Sequence, residues 1–316
     1  MKIAFLDDWQ QNAREFADVS SLEAEHEIHF FHDTVGGDAL IERLRPFDVL
    51  CVMRERTVFS REVLEQLPHL KAIFTSGMRN AALDLAACAE RGIIVSGTPS
   101  PGHATAELAM TLIGTLARQI VPNAVSMASG GWQVATGRDL RGATLGILGL
   151  GRLGSQLASL AQAFGMEVQA WSQNLTAERA AEVGVRYADK ETFFASSDFI
   201  SVHLKLSDRV VGLVGADEIG LMKADACLVN TSRAPIIDEG ALIDALSAGQ
   251  LGGAALDVYN SEPLPSDDRL RTVPNLILMP HIGYVTAETM QVFYGETVVS
   301  LQAWLAGEPV RLLTGA

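Results

Sequence analysis

The stretch Thr144-Leu145-Gly146-Ile147-Leu148-Gly149-Leu150-Gly151-Arg152-Leu153-Gly154 decides the fold. A short apolar run leads directly into glycines at the spacing G-x-G-x-x-G, and a helical pattern then continues through Phe164. In a strand, turn and helix setting each glycine has its own reason. The first permits the tight turn, the second lets backbone N–H groups approach a pyrophosphate, and the third lets helix and strand pack closely. The helix N-terminus would face the phosphates with its partial positive charge. As a bare pattern the motif is weak; its placement between strand and helix makes a dinucleotide loop the better reading.

Outward from this loop, short apolar runs alternate with helix-length segments in both directions. Upstream the runs are Ile3 to Leu6, Ile28 to Phe31, Asp48 to Val52, Lys71 to Phe74 and Ile93 to Val95. Downstream they are Glu167 to Trp171, Asp198 to Val202, Ala226 to Asn230, Gly253 to Asp257 and Leu276 to Met279. That rhythm predicts α/β architecture with parallel sheets. Helices are predicted after Ser60, a residue suited to an N-cap, and over Leu83 to Glu90 before Gly92. The Pro/Gly-rich loop Thr98-Pro99-Ser100-Pro101-Gly102 precedes a helical pattern over His103 to Arg118 and reads as a domain crossing. After His281 the pattern is helical again, and this last helix is expected to pack on the first unit. The predicted domains are therefore 1–98 with 287–316, and 99–286.

A chain of 316 residues is about twice a common domain length. Its formal charge of -14 argues against a nucleic-acid partner, which would require clustered Lys and Arg. No run approaches a membrane helix in length, and no opening segment resembles a signal peptide. Cys51, Cys88 and Cys227 are far apart and lack metal-ligand spacing, so no metal is expected and a reducing cytoplasm fits. A dinucleotide fold of the NAD type commonly carries an acidic residue about 20 residues past the loop. Here the second strand ends Trp171-Ser172-Gln173-Asn174, with neither carboxylate nor Arg. NAD against NADP is left open, and Arg179 nearby reads as a solvated helix charge.

Six stretches occur in order: Thr75-Ser76-Gly77-Met78 with Asn80, Gly92-Ile93 leading to Thr98-Pro99, the glycine loop, Val229-Asn230-Thr231-Ser232-Arg233, Ala255-Leu256-Asp257-Val258 with Glu262-Pro263, and Pro280-His281-Ile282-Gly283. Together they resemble the D-isomer-specific 2-hydroxy acid dehydrogenases, over nearly the whole chain. The resemblance implies two Rossmann-like domains with doubly wound parallel sheets, the flavodoxin-like substrate domain being made from both chain ends. It implies NAD or NADP as cofactor and a small 2-oxo or 2-hydroxy acid as substrate. It also implies a homodimer, through the helix from His103 to Arg118 and the arm to Trp132.

By position the resemblance assigns Arg233 to the substrate carboxylate, His281 to acid/base work and Glu262 to its support. Cofactor contacts fall on Gly149, Gly151, Arg152, Leu153, Gly154, Ser172, Gln173, His203, Thr231, Asp257 and Thr105. Substrate contacts fall on Arg54, Ser76, Gly77 and Met78 besides Arg233 and His281. The chemistry agrees: an imidazole titrates near neutrality, a carboxylate partner favours its protonated form, and a planar guanidinium grips a carboxylate bidentately. His203 is read as a backbone contact to cofactor rather than a catalyst; most relatives carry proline where Lys205 stands. Arg54 and Arg56 read equally as substrate contacts or surface ion pairs, and Tyr284 either narrows a pocket or packs. Two rivals are a dinucleotide-sensing corepressor without turnover, and formate oxidation, which is disfavoured because those enzymes carry glutamine at the position of Glu262.

Overall fold

The computed structural model describes residues 1–313. The chain divides into two compact units, 1–101 with 285–313, and Gly102–Tyr284. These crossings lie a few residues from those read in the sequence. Thr98 ties the loop to the first unit, its Oγ1 accepting the Gly77 N–H at 2.8 Å and donating to Pro99 O at 3.0 Å. Gly102, by contrast, lies in the second unit with the Arg152 guanidinium packed so closely on it that a Cβ would overlap.

The first unit holds strands β1 (Lys2–Phe5), β2 (Glu27–Phe30), β3 (Val49–Val52), β4 (Ala72–Thr75) and β5 (Ile94–Gly97), all parallel, in the order β2-β1-β3-β4-β5. This is the flavodoxin-type order, which arises when right-handed crossovers wind first one way and then the other from the central strand. Strands β3 and β4 are buried along their whole length, as expected of strands covered on both faces. The helix Ala287–Leu305 contacts β4 and β5, with the Trp304 ring edge-on to Phe74 at 6.1 Å. The chain beyond it pairs antiparallel with β5, Leu313 N donating to Val95 O and Gly97 N to Arg311 O. Both chain ends thus build one sheet. Ser60 occupies the N-cap position of helix Arg61–Glu65, but its hydroxyl accepts no bond from the first turn.

The second unit holds β6 (Thr144–Leu148), β7 (Glu167–Trp171), β8 (Arg186–Tyr187), β9 (Phe199–Val202), β10 (Cys227–Asn230), β11 (Gly253–Leu256) and β12 (Leu276–Leu278). Their order, β12-β11-β10-β9-β6-β7-β8, reverses at the β6/β9 boundary, the doubly wound pattern that places ligands at the strands' carboxyl ends. Alternate side chains feed two cores. Leu145, Ile147, Phe199 and Val229 face one, with Ile113, Leu116 and Leu157 from the helices Ala104–Ala117 and Arg152–Ala163; Leu148, Ile200, Val202 and Leu228 face the other, with Phe193 and Phe194. Strand β8 has no apolar run to announce it, being two exposed residues held by pairing to β7.

Candidate active site

The glycines of the dinucleotide loop occupy the positions their roles require. Gly149 has φ +103°, and a Cβ there would meet the His203–Leu204 peptide at 2.9 Å. At Gly154 a Cβ would lie 2.4 Å from Gly149 O and 3.0 Å from Ile147, so only hydrogen lets the helix close on β6. Around Gly151 the space is open, with nothing within 4 Å of an added Cβ. Gly151 also caps the helix Arg152–Ala163 without a side-chain hydrogen bond, leaving its first-turn N–H groups available to an anion. The hydroxyls of Ser155, in that first turn, and of Thr231, just past β10, are buried without a partner. Two orphaned donors and an open N-terminal turn fit a pyrophosphate-bearing cofactor.

Three loops after β10, β11 and β12 carry the reactive side chains. Asn230 shapes the first: its Oδ1 accepts the Ser232 N–H at 2.9 Å and its Nδ2 donates to Arg233 O at 3.0 Å. The Arg233 guanidinium is partly fixed by a bond from Nη1 to Ser232 O at 2.7 Å. In the second loop Glu262 receives the Tyr259 N–H on Oε1 at 2.9 Å, and Tyr259 itself is anchored by its hydroxyl, within reach of Leu256 O and Met279 O. In the third, His281 Nδ1 meets Glu262 Oε2 at 2.6 Å. Imidazole and carboxylate are each about three-quarters shielded, at 24% and 28% side-chain exposure, which strengthens their attraction relative to a surface pair.

Burial alone would raise the Glu262 carboxyl, but the His281 hydrogen bond and charge, the Tyr259 N–H and the charge of Arg233 outweigh it and hold it below the ordinary carboxylate range. His281 and, more weakly, Arg233 therefore both act electrostatically on Glu262. With Nδ1 engaged, the nitrogen left to exchange a proton with a ligand is Nε2.

His281 adopts φ 53°, a left-handed conformation that non-glycine residues seldom occupy. The following turn is clamped by Asp257, whose Oδ1 and Oδ2 accept the Ile282 and Gly283 N–H groups at 2.8 and 2.7 Å. Burial pushes this carboxyl up to about 6. Thr105 stands close by, since a Cβ at Gly283 would touch both Asp257 Oδ2 and the Thr105 side chain. Tyr284 places its ring edge-on to His281 at 5.7 Å.

His203 is held differently. Its Nε2 bonds Ser201 Oγ at 2.8 Å, and burial of the ring pushes its pKa down to about 4, so it is neutral at physiological pH. Arg179 is ion-paired with Glu182 on an exposed helix.

In the first unit, Ser76 Oγ accepts the Arg54 N–H at 2.9 Å, and Arg54 itself has φ 52°. Its guanidinium lies against Gly77, where a Cβ would come within 2.9 Å of Nη1. Asn80 Nδ2 donates to Arg54 O at 2.6 Å and to Thr75 Oγ1 at 3.0 Å, while half-exposed Met78 packs its sulfur near Gly97. Arg56 instead donates to Asp7 O at 3.0 Å.

Sequence reasoning gave no role to Tyr259, Asn230 or Thr98. Asn230 and Thr98 stood inside quoted motifs as polar residues at or just past strand ends, which was the available signal. Tyr259 had none, because its contribution is a backbone N–H and an anchor.

Known proteins place the chain. The sequence profile described as the D-isomer specific 2-hydroxyacid dehydrogenase NAD binding domain matches residues 110–283. A glyoxylate reductase of Thermococcus litoralis is 35% identical over 302 residues, covering 92% of this chain and 91% of its own. A glycerate dehydrogenase of Methylorubrum extorquens is 33% identical, covering 99% and 98%. The crystal structure of a phosphoglycerate oxidoreductase from Vibrio cholerae superposes with a TM-score of 0.91 at 35% identity, covering 97% and 99%. The chain belongs to the D-isomer specific 2-hydroxyacid dehydrogenases, and its activity is that of an NAD(P)-dependent enzyme of this family.

Proposed function

We propose that the protein reduces a small 2-oxo acid to its D-2-hydroxy acid, with His281 as proton donor, Glu262 as the partner of that imidazole and Arg233 as the receptor of the substrate carboxylate. The observation that carries this reading is the 2.6 Å bond from His281 Nδ1 to a Glu262 that also feels the charge of Arg233. When bound, NAD(P)H supplies the hydride. The chain's own residues have the remaining work. Glu262 favours imidazolium, His281 Nε2 releases its proton to the oxygen that becomes the hydroxyl, and Arg233 fixes the acid while damping negative charge on that oxygen. The strained turn at His281, clamped by Asp257, keeps the ring from searching other orientations. Arg54, Ser76, Gly77 and Met78 are assigned to substrate in the same proposal, and Thr105, Arg152, Leu153, Ser172, Gln173, His203, Thr231 and Asp257 to cofactor alongside the three glycines. The first unit, 1–98 with 287–316 in the sequence reading, is then the substrate domain and 99–286 the nucleotide domain.

Relatives named for glyoxylate and glycerate point to a compact substrate. Purified protein is expected to oxidise reduced cofactor with glyoxylate or hydroxypyruvate faster than with phenylpyruvate, 2-oxoglutarate or 3-phosphohydroxypyruvate. Cofactor binding without turnover of any of the five would instead favour a nucleotide sensor.

We also propose a homodimer. The helix Ile120–Ala128 has no buried residue and no charge, and it exposes Ile120, Val121, Val125 and Met127, continued by Trp132 and Val134. An apolar face of this extent is covered in solution, and a second copy of the same face would cover it symmetrically. Light scattering is expected to give twice the chain mass, shifting toward the monomer in Val125→Lys; a monomeric parent at micromolar concentration would refute it. The three buried free cysteines fit a reducing cytoplasm, and among the described residues no helix is long and apolar enough to cross a membrane.

A further inference from the structure

We propose that the nucleotide site of this chain selects NADP(H) over NAD(H), with Lys205 and Arg209 receiving the 2′-phosphate; this rests on the dinucleotide reading of the Gly149–Gly154 loop. The carboxyl end of β7 is where an NAD-selective site places an acidic residue to accept the ribose hydroxyls and repel a 2′-phosphate. This chain has Ser172, Gln173 and Asn174 there, so that repulsion is missing. Opposite them lies an open recess of about 310 Å³, whose far wall is the segment after β9 and includes Lys205, Ser207 and Arg209. No carboxylate lines it. Asp208 sits between Ser207 and Arg209 in sequence but does not line the recess.

The recess is held in shape from three sides. Gly149 packs on the His203–Leu204 peptide at its base. Ser232 Oγ donates to Leu204 O at 2.5 Å, and Gln173 Nε2 bridges the two walls by donating to Arg209 O at 3.3 Å. The cations themselves are uncommitted: among the described residues neither Lys205 nor Arg209 is ion-paired, whereas the neighbouring Arg179 and Lys190 pair with Glu182 and Glu218. Two unspent cations facing hydroxyl and amide groups, with no carboxylate among them, match a phosphate monoester and not a neutral diol. The chain's net charge of -14 does not cancel this, because charges farther away than about 8 Å are largely screened at physiological ionic strength.

The test uses the purified protein and two fragments that need no turnover, 2′,5′-ADP and 5′-ADP, titrated calorimetrically. 2′,5′-ADP is expected to bind about 10- to 100-fold tighter, the scale of one or two charge-assisted hydrogen bonds. The gap should narrow as salt is raised. In Lys205→Ala/Arg209→Ala the ratio is expected to fall to within about 3-fold, and Ser172→Asp should reverse it by restoring the carboxylate. Equal or weaker binding of 2′,5′-ADP by the parent overturns the preference while leaving the dinucleotide site intact. An undiminished ratio in the double variant overturns the assignment to Lys205 and Arg209. Binding of neither fragment by folded protein overturns the dinucleotide reading and this proposal with it.

Discussion

Replacing His281 by Gln is expected to lower turnover by about 10²- to 10⁴-fold, the usual contribution of a positioned acid or base, while cofactor binding persists. Glutamine keeps the size and a hydrogen bond to Glu262 but cannot release a proton near neutrality. The neighbouring carboxylate shapes the pH profile. Glu262 is held below its ordinary value, so the stabilisation its carboxylate contributes is fully present above the ordinary carboxylate pKa of about 4.3. That stabilisation is lost only as pH falls through the lowered value of the folded state. Glu262→Gln removes that carboxylate, so the acid-side change that follows its protonation should be absent from the variant's profile. Stopped-flow hydride transfer across a pH series measures both effects. A His281→Gln enzyme within tenfold of the parent would reassign the proton donor.

Arg233→Lys is expected to lower kcat/KM for a 2-oxo acid by about 10²- to 10³-fold despite the retained charge, a loss comparable with removing one donor from an oxyanion site. Nη1 is bonded to Ser232 O, and Asn230 fixes the backbone beneath it, so the planar guanidinium is held in a set orientation. An ammonium offers a point charge on a flexible stem and cannot reproduce two parallel bonds to a carboxylate. A rise in KM with kcat kept would confine the role to binding the acid. A fall in kcat as well would add stabilisation of the oxygen that gains the proton. A change under fivefold in kcat/KM would remove Arg233 from the substrate site.

Other features matter more for placing these groups than for chemistry. The Asp257 clamp on the Ile282 and Gly283 N–H groups, and the Tyr259 N–H on Glu262, fix two loops from different strands in one relation. The His281 conformation at φ 53° persists because that surrounding hydrogen bonding over-determines it.

What the sequence by itself determined was the periodic part and the local chemistry. Runs such as Leu145 to Leu148 and Phe199 to Val202 show strands because alternate side chains must fill cores on both faces of a sheet. The glycines announce themselves because few other residues tolerate φ +103° at 149 or an approach of 2.4 Å at 154. His281, Glu262 and Arg233 were legible as residue types in an ordered set of motifs. Tertiary structure alone decided which groups meet. The 2.6 Å pairing of residues 262 and 281 depends on β11 and β12 lying side by side. The neutral state of His203 depends on burial of its ring, and the placing of Lys205 and Arg209 opposite Ser172, Gln173 and Asn174 depends on β7 and β9 both lying beside β6. The physical reason is that periodicity and steric demand belong to a segment, whereas charge state and hydrogen bonding belong to the surroundings that folding brings to it.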